Sequence, residues 1–243
     1  VRLTANLAAS APAEALADGG VELAILDLLA SREDRLRQRR FPIDGAPVTC
    51  LAPDGGVLTI VVSDEAGKVD LNAASEPVLA ALVAGTGASR AAAERVAAAV
   101  ADFRDADDRP RDGGAERAQY QAAGRASGPK NAPFAVIEEL GQVLGVTPEV
   151  FAVLRPHVTV HSGLAGVDPG VMTRDLAQLL AAGGGQSVGA GAMLPAFIAS
   201  STRRAFSIKI DAVMPNGARF VRDALVELTG TRENHVLRRW SRD

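Results

Sequence analysis

The chain has 243 residues, enough to bury a substantial core in one large or two intimate domains. Its 26 basic and 29 acidic residues give a formal net charge of −3, so no global positive field attracts nucleic acid or an acidic membrane surface. A single cysteine, Cys50, excludes an internal disulfide framework.

The first helical pattern lies near the start of the chain. Apolar residues recur there at three- and four-residue intervals and predict a helix over residues 13 to about 40, which ends before Pro42. No window contains the roughly 18 consecutive apolar residues of a membrane helix, and nothing at the start reads as a signal peptide. We therefore expect a soluble polypeptide. Because it begins at Val1 and not at Met, we also expect a fragment or a processed chain.

Strand signals flank a long helical block. A β-branched run at 57–62 predicts a buried strand. Alternating residues at 206–211 and 219–228 around Pro215-Asn216-Gly217 predict a hairpin, and a last strand is expected over 235–240. Alanine-rich patterns between them predict helices at 76–83, 90–103, 135–144 and 148–154. This order predicts an α+β fold whose sheet is interrupted by a helical insertion.

The domain prediction follows from the same order. Residues 1–66 and 203–243 are expected to form one discontinuous lobe, in which the N-terminal helix packs on a small antiparallel sheet. Residues 67–202 are expected to form the helical insertion. The glycine-rich stretch near 182–191 is predicted to be a flexible surface loop, because its glycines cannot offset the entropy of a fixed conformation.

Two segments of the helical block share a pattern. Residues 69–87 and 134–147 each read as a helix, a glycine-containing tight turn and the start of a second helix, similar to helix-hairpin-helix or SAM-like units of DNA-uptake and repair proteins. In DNA-binding versions, turn N–H groups point at a phosphate and nearby Lys or Arg residues add charge. Here Arg90 follows the first turn but Glu149 follows the second, so we favour tight helix turns and keep a DNA-binding module as the alternative.

An acidic loop follows the second predicted helix. Glycines at 113 and 114 permit a sharp turn between its acids, as oxygen-ligand calcium sites require, although the spacing is not that of an EF-hand. Carboxylates this close together repel one another unless positive charge compensates them. Either a bound Ca²⁺ or the interleaved arginines would supply that charge. Five acids fall within 12 positions, at Asp105, Asp107, Asp108, Asp112 and Glu116, and the arginines are Arg104, Arg109, Arg111 and Arg117.

Catalytic signals are absent from the sequence. His157 and His161 fall on a predicted extended segment and lack the glutamate of a zinc-helix motif. Neither a nucleophile elbow nor a phosphate-binding G-x-x-x-x-G-K-[ST] loop occurs. We therefore expect a protein that is not an enzyme.

One set of motifs carries a family resemblance. The run V-D-L-N-A-A at 69–74, the run D-A-D-D-R-P at 105–110, the triplet G-A-E at 114–116 and Tyr120 resemble the K-type minor pseudopilin of the bacterial type II secretion system. That family has a V-[DN]-L-N-x-A opening and a D-x-D-x-x-P…G-A-E…Y loop. The resemblance implies calcium in this domain, with Asp105, Asp107 and Glu116 as candidate ligands. Arg117 stands where the family often has a further acid.

The resemblance also implies a fold and a role. The discontinuous lobe would be pilin-like, and the protein would be a non-catalytic subunit that caps the tip of a periplasmic pseudopilus together with I- and J-type minor pseudopilins and other pseudopilins. An N-terminal apolar helix, which this chain lacks, would anchor it in the inner membrane. We expect the partners to contact the helix face that includes Leu16, Leu23 and Leu26.

Overall fold

The computed structural model describes residues 2–33, 38–184, 197–202, 204–229 and 234–242. Among these residues, none of the helices combines the length and apolar character that crossing a membrane requires. The helices and strands are, in chain order, α1 Arg2–Glu33, β1 Asp44–Leu51, β2 Val57–Asp64, β3 Val69–Asp70, α2 Glu76–Gly85, α3 Arg90–Arg104, α4 Arg117–Ala122, α5 Pro148–Leu154, β4 Val158–Thr159, α6 Arg174–Gly184, β5 Ala205–Val213, β6 Arg219–Leu228 and β7 His235–Arg242.

The strands form one antiparallel sheet and one small parallel pair. The five-stranded sheet has the order β1-β2-β5-β6-β7, and β3 pairs with β4. Helices combined with an antiparallel sheet confirm the α+β prediction at that level. The chain divides into two compact units: unit 1 comprises Val1–Glu65 and Thr202–Asp243, and unit 2 comprises Ala66–Ser201.

In unit 1, α1 lies across β2, β5 and β6. Its buried side chains recur every three or four positions, as a helix face against a sheet requires, and Ile208 and Ile210, at alternate positions of β5, are also buried. Gly20 lies at the closest approach, where an added Cβ would come within 3.0 Å of Ile210 Cγ2. The glycine therefore lets the helix approach the sheet closely. The buried helix residues are Ala13, Ala17, Val21, Ala24, Ile25 and Leu28.

The predicted end of the first helix is wrong. The helix ends at Glu33, and residues 38–40 are not helical. The carboxylate of Asp27 accepts hydrogen bonds from the backbone N–H groups of Arg40 and Phe41 at 3.1–3.2 Å. These bonds hold the chain back against α1, so that it can enter β1.

The strand predictions are confirmed for β2, for the β5–β6 hairpin and for β7. Strand β1 was not predicted. It is an edge strand with mostly exposed or half-buried residues, and its pairing with β2 is irregular between Asp44 and Pro47. Because a strand of this kind buries no continuous face, the sequence shows no apolar alternation there.

Unit 2 is built around α2, which packs against α3 and α6. An added Cβ on Gly183 would come within 1.8 Å of the Ala81 carbonyl oxygen, so glycine allows α6 to contact α2 closely. Helix α6 includes Ala182, Gly183 and Gly184, which corrects part of the predicted glycine-rich loop; residues 185–191 lie outside the described residues. The predicted helices at 76–83, 90–103 and 148–154 are confirmed, whereas 135–144 contains only a 3₁₀ helix, Ile137–Gln142.

Candidate metal centre

The acidic loop begins where α3 ends. The hydroxyl of Ser89 caps the start of this helix by accepting a hydrogen bond from Ala92 N–H. At the other end, Asp105 adopts an extended conformation, and its N–H still donates to the carbonyl of Ala101 at 3.2 Å. The chain thus leaves the helix at Asp105 and returns at Glu116, immediately before α4.

Asp102, in the last turn of α3, anchors the returning part of the loop. Its side chain is fully buried (0% exposed). The carboxylate accepts hydrogen bonds from the N–H of Ala115 at 2.8 Å and the N–H of Arg111 at 3.3 Å. Burial raises the pKa of Asp102, and the two N–H groups oppose that shift. An added Cβ on Gly114 would come within 2.1 Å of Asp102 Oδ2, so the loop fits this anchor only with glycine.

The structure brings the three predicted metal ligands together. One carboxylate oxygen from each of Asp105, Asp107 and Glu116 lies within 4.8 Å of the other two. Asp107 is exposed and Asp105 half-buried, whereas Glu116 is only 3% exposed. The backbone N–H of Arg109 donates to Asp107 Oδ1 at 2.9 Å and orients that side chain.

Glu116 is the most informative member of the three. Both of its carboxylate oxygens are buried and, among the described residues, neither has a partner within hydrogen-bond distance, although the side chain faces the backbone N–H of Gln119 in a capping-box arrangement. Burial, followed by the charges of Asp102 and Asp105, raises the pKa of Glu116 to about 7. A carboxylate buried among like charges is costly unless a cation compensates it. The environment of Glu116 is therefore that of a carboxylate that binds a cation, and it differs from that of an acid in a solvent-exposed loop.

The arginines of the loop compensate only part of this charge. Arg111 forms ion pairs with Asp102 at 3.3 Å, Asp105 at 2.9 Å and Glu76 at 3.6 Å. Arg104 donates instead to two backbone carbonyls, those of Leu71 at 2.7 Å and Ala74 at 2.9 Å. Desolvation lowers the pKa of Arg104, and the neighbouring Arg111 adds to that effect.

The oxygens that remain are of the kind that calcium prefers. Arg111 satisfies Asp105 Oδ2, but Asp105 Oδ1 is buried without a partner among the described residues, as are both Glu116 oxygens. Carboxylate oxygens are hard ligands suited to Ca²⁺. The three predicted residues therefore fit a calcium ion better than they fit a loop held by salt bridges alone.

Asp102, Asp108 and Asn131 are parts of this region that were not predicted as site residues. Asn131 Nδ2 donates to the Asp107 carbonyl and to Asp108 Oδ1, both at 2.9 Å. Asn131 lies 24 residues beyond Asp107 and 23 beyond Asp108, and nothing local in the sequence indicates the contact. Asp102 could have been noticed as a carboxylate within an otherwise apolar stretch of α3.

The opening of the V-D-L-N-A-A run has a structural role. Asp70 Oδ1 accepts hydrogen bonds from the N–H groups of Asn72 at 2.8 Å and Ala73 at 3.2 Å. Its other oxygen accepts from Ser162 Oγ at 3.2 Å and from Gly163 N–H at 2.7 Å. One buried carboxylate thus fixes a turn and ties it to a segment 92 positions away.

The two glycine turns have the backbone geometry that was predicted for tight turns. Gly87 and Gly145 both have positive φ, of 93° and 90°, which is the geometry of a tight turn between helices. Arg90, the cation beside the first turn, donates to Glu94 at 2.8 Å.

The three predicted interface leucines differ in exposure. Leu26 is 62% exposed, and Leu16 and Leu23 are half-buried. Leu16 lies close to Gly56 in the β1–β2 turn, where an added Cβ would come within 2.6 Å of Leu16 Cδ2. Leu26 is therefore the member that is most available to a partner.

Comparisons with known proteins bear on the region that contains these acids. Residues 58–163 match the family model for type II secretion system (T2SS) protein K. A chain in the crystal structure of the GspK-GspI-GspJ complex from the enterotoxigenic Escherichia coli type 2 secretion system has a similar fold, with a TM-score of 0.72, 17% identity and 99% of each chain covered. No curated protein sequence matches the chain.

Proposed function

We propose that the chain is a non-catalytic minor pseudopilin at the tip of a periplasmic pseudopilus, because residues 58–163 match the family model for type II secretion system protein K. In this role it supports assembly of the pseudopilus and protein export across the outer membrane. The family match, which includes the candidate metal centre, is the observation that carries the proposal.

The two units fit this role. Unit 1 has a long helix on an antiparallel sheet, and we infer that it is a pilin-like lobe. Unit 2 is inserted in the sequence between β2 and β5, which are neighbouring strands of that sheet. A subunit with so large an insertion is difficult to accommodate below another subunit in a helical filament. A position at the tip, where no subunit follows, removes this difficulty.

The proposed partners are the I- and J-type minor pseudopilins, together with other pseudopilins of the filament. The fold likeness to a chain of the GspK-GspI-GspJ complex supports this choice. The α1 face that contains Leu16, Leu23 and Leu26 is the proposed contact, and a preceding apolar helix would anchor the subunit in the inner membrane, with the described domain in the periplasm.

We propose in addition that Asp105, Asp107 and Glu116 hold a structural Ca²⁺. When bound, the ion would supply the positive charge that the buried Glu116 carboxylate lacks. The ion would join the end of α3 to the start of α4 and so order the loop between them. Asp102, Arg111 and Gly114 hold the same loop from the other side.

Co-purification with an I-type partner that lacks its membrane helix tests the proposed role. We expect the wild-type chain to bind and the Leu26→Asp variant to lose binding, because a charge would replace an exposed apolar contact. Leu51→Asp is the matched control, since Leu51 is also exposed (81%) but lies on the edge strand β1. Equal binding by all three proteins would contradict the assigned contact, and no binding by the wild type would contradict the role.

A further inference from the structure

Asn131, beside the acidic loop, resembles Glu116 in having a buried side-chain oxygen without a hydrogen-bond partner among the described residues. Among the described residues, six buried side-chain nitrogen or oxygen atoms have no hydrogen-bond partner. Four of these six are oxygens of Asp105, Glu116 and Asn131. Buried acceptors of this kind are rare in folded proteins, and each calls for an explanation such as a bound ion.

The orientation of the Asn131 amide follows from its hydrogen bonds. Nδ2 faces two acceptors, the Asp107 carbonyl and Asp108 Oδ1, each at 2.9 Å. The opposite assignment would place an oxygen against two oxygens, so the amide nitrogen belongs on that side. Oδ1 is therefore the atom that has no hydrogen-bond partner among the described residues, and it belongs to an amide whose nitrogen already contacts the loop that carries the candidate ligand Asp107.

The segment that carries Asn131 is fixed on both sides. Lys130 Nζ donates to the Pro133 carbonyl at 2.9 Å and to Glu139 Oε1 at 2.7 Å. The ring of Phe134 stacks on that of Phe103, near the end of α3, with 4.7 Å between the centroids. Asn131 itself has a φ of 50°, a left-handed conformation that Asn tolerates better than most residues. The contact with the acidic loop is thus built into the fold.

We propose that Asn131 Oδ1 is a fourth protein ligand of the cation held by Asp105, Asp107 and Glu116. This inference rests on the calcium site proposed above. Calcium accepts neutral amide oxygens together with carboxylates and takes six to eight oxygens in all. Asn131 would connect the ion to the 130–134 segment, so that one ion holds three parts of the chain.

Europium substitution tests the proposal by counting water. Luminescence decay of bound Eu³⁺, measured in H₂O and D₂O, reports the number of water molecules on the ion. In Asn131→Gly, which keeps the left-handed backbone and removes the amide, we expect about one additional water and about tenfold weaker Ca²⁺ binding. The matched control is Asp112→Asn, which removes an acid of the same loop that lies outside the ligand cluster; its water count should equal that of the wild type.

The possible outcomes distinguish a failure of the Asn131 assignment from a failure of the calcium site. An unchanged water count in Asn131→Gly with Eu³⁺ bound would overturn the assignment of Asn131 as a ligand. It would not affect the proposal that the three carboxylates bind the ion. No binding of Ca²⁺ or Eu³⁺ by the chelator-treated wild type would overturn both.

Discussion

Asn72 and Phe134, 62 positions apart, exchange two hydrogen bonds. Asn72 Nδ2 donates to the Phe134 carbonyl at 2.9 Å, and Phe134 N–H donates to Asn72 Oδ1 at 2.7 Å. The amide thus imitates a backbone strand partner. Because Phe134 also stacks on Phe103, the pair ties the V-D-L-N-A-A turn and the 130–134 segment to the end of α3, which is where the acidic loop begins.

Asn72→Ala should therefore weaken unit 2. It removes both bonds and leaves a partly buried N–H and carbonyl without partners, so we expect a loss of about 2 kcal/mol in the free energy of unfolding. Urea unfolding measures the change. Asn216→Ala, in the β5–β6 turn where the side chain accepts a local bond from Ala218 N–H, should change stability much less. Equal losses in the two variants would argue against the role given to Asn72.

Calcium should raise the melting temperature of the chelator-treated protein. At a free concentration 100 times the dissociation constant, the stabilisation is about 2.7 kcal/mol. The effect should disappear in Asp105→Asn and Glu116→Gln, which remove charged ligands. It should persist in Asp112→Asn, because Asp112 belongs to the same loop but not to the ligand cluster. An unchanged melting temperature of the wild-type protein at millimolar calcium would refute the site.

Without calcium, Glu116→Gln should make the protein more stable at high pH. The folded pKa of Glu116 is raised to about 7 from an ordinary value of 4.5, so between these values the folded state binds more protons than the unfolded state. The stability linked to Glu116 is therefore present below about pH 4.5 and is lost as the pH rises through about 7.

Unfolding measured in a chelator from pH 4 to 8 tests this linkage. We expect an advantage of the Gln variant of about 2 kcal/mol at pH 8 that shrinks as the pH falls. Asp112→Asn controls for the loss of one acid from the loop. A stability difference that stays constant across this range would contradict the burial of an ionisable Glu116.

Gly114→Ala should destabilise the loop through a steric clash. The added Cβ would lie 2.1 Å from Asp102 Oδ2, which Ala115 N–H already holds at 2.8 Å. We expect a loss of about 2 kcal/mol or more in the free energy of unfolding, together with weaker calcium binding. Gly141→Ala, where an added Cβ meets nothing within 4 Å, is the matched control and should be close to neutral.

The site residues that were predicted from the sequence lie close together in the chain. Asp105, Asp107 and Glu116 were predicted as ligands by family resemblance, and the structure places their oxygens within 4.8 Å of one another. Asn131 was missed because its contact depends on the stack of Phe134 on Phe103, a tertiary feature with no local signature. Asp102 was missed because a single acid in a helix usually faces solvent, and its burial depends on the returning loop.

In the fold, too, the elements with a local sequence pattern were predicted and the elements set by distant contacts were not. The buried strands β2, β5 and β6 show strong β-branched or alternating patterns and were predicted. Strand β1 and the end of α1 were not, because they are set by edge pairing and by Asp27, which accepts bonds from a backbone 13 and 14 residues away. Periodicity cannot reveal such contacts.

The proposed assembly with I- and J-type minor pseudopilins can be tested by the mass of the complex that forms when the three proteins are mixed. The chain and both partners, each without its membrane helix, would be combined and measured by light scattering after size-exclusion chromatography. We expect a stable species with one copy of each chain. Separate monomers, with all three proteins shown to be folded, would contradict it.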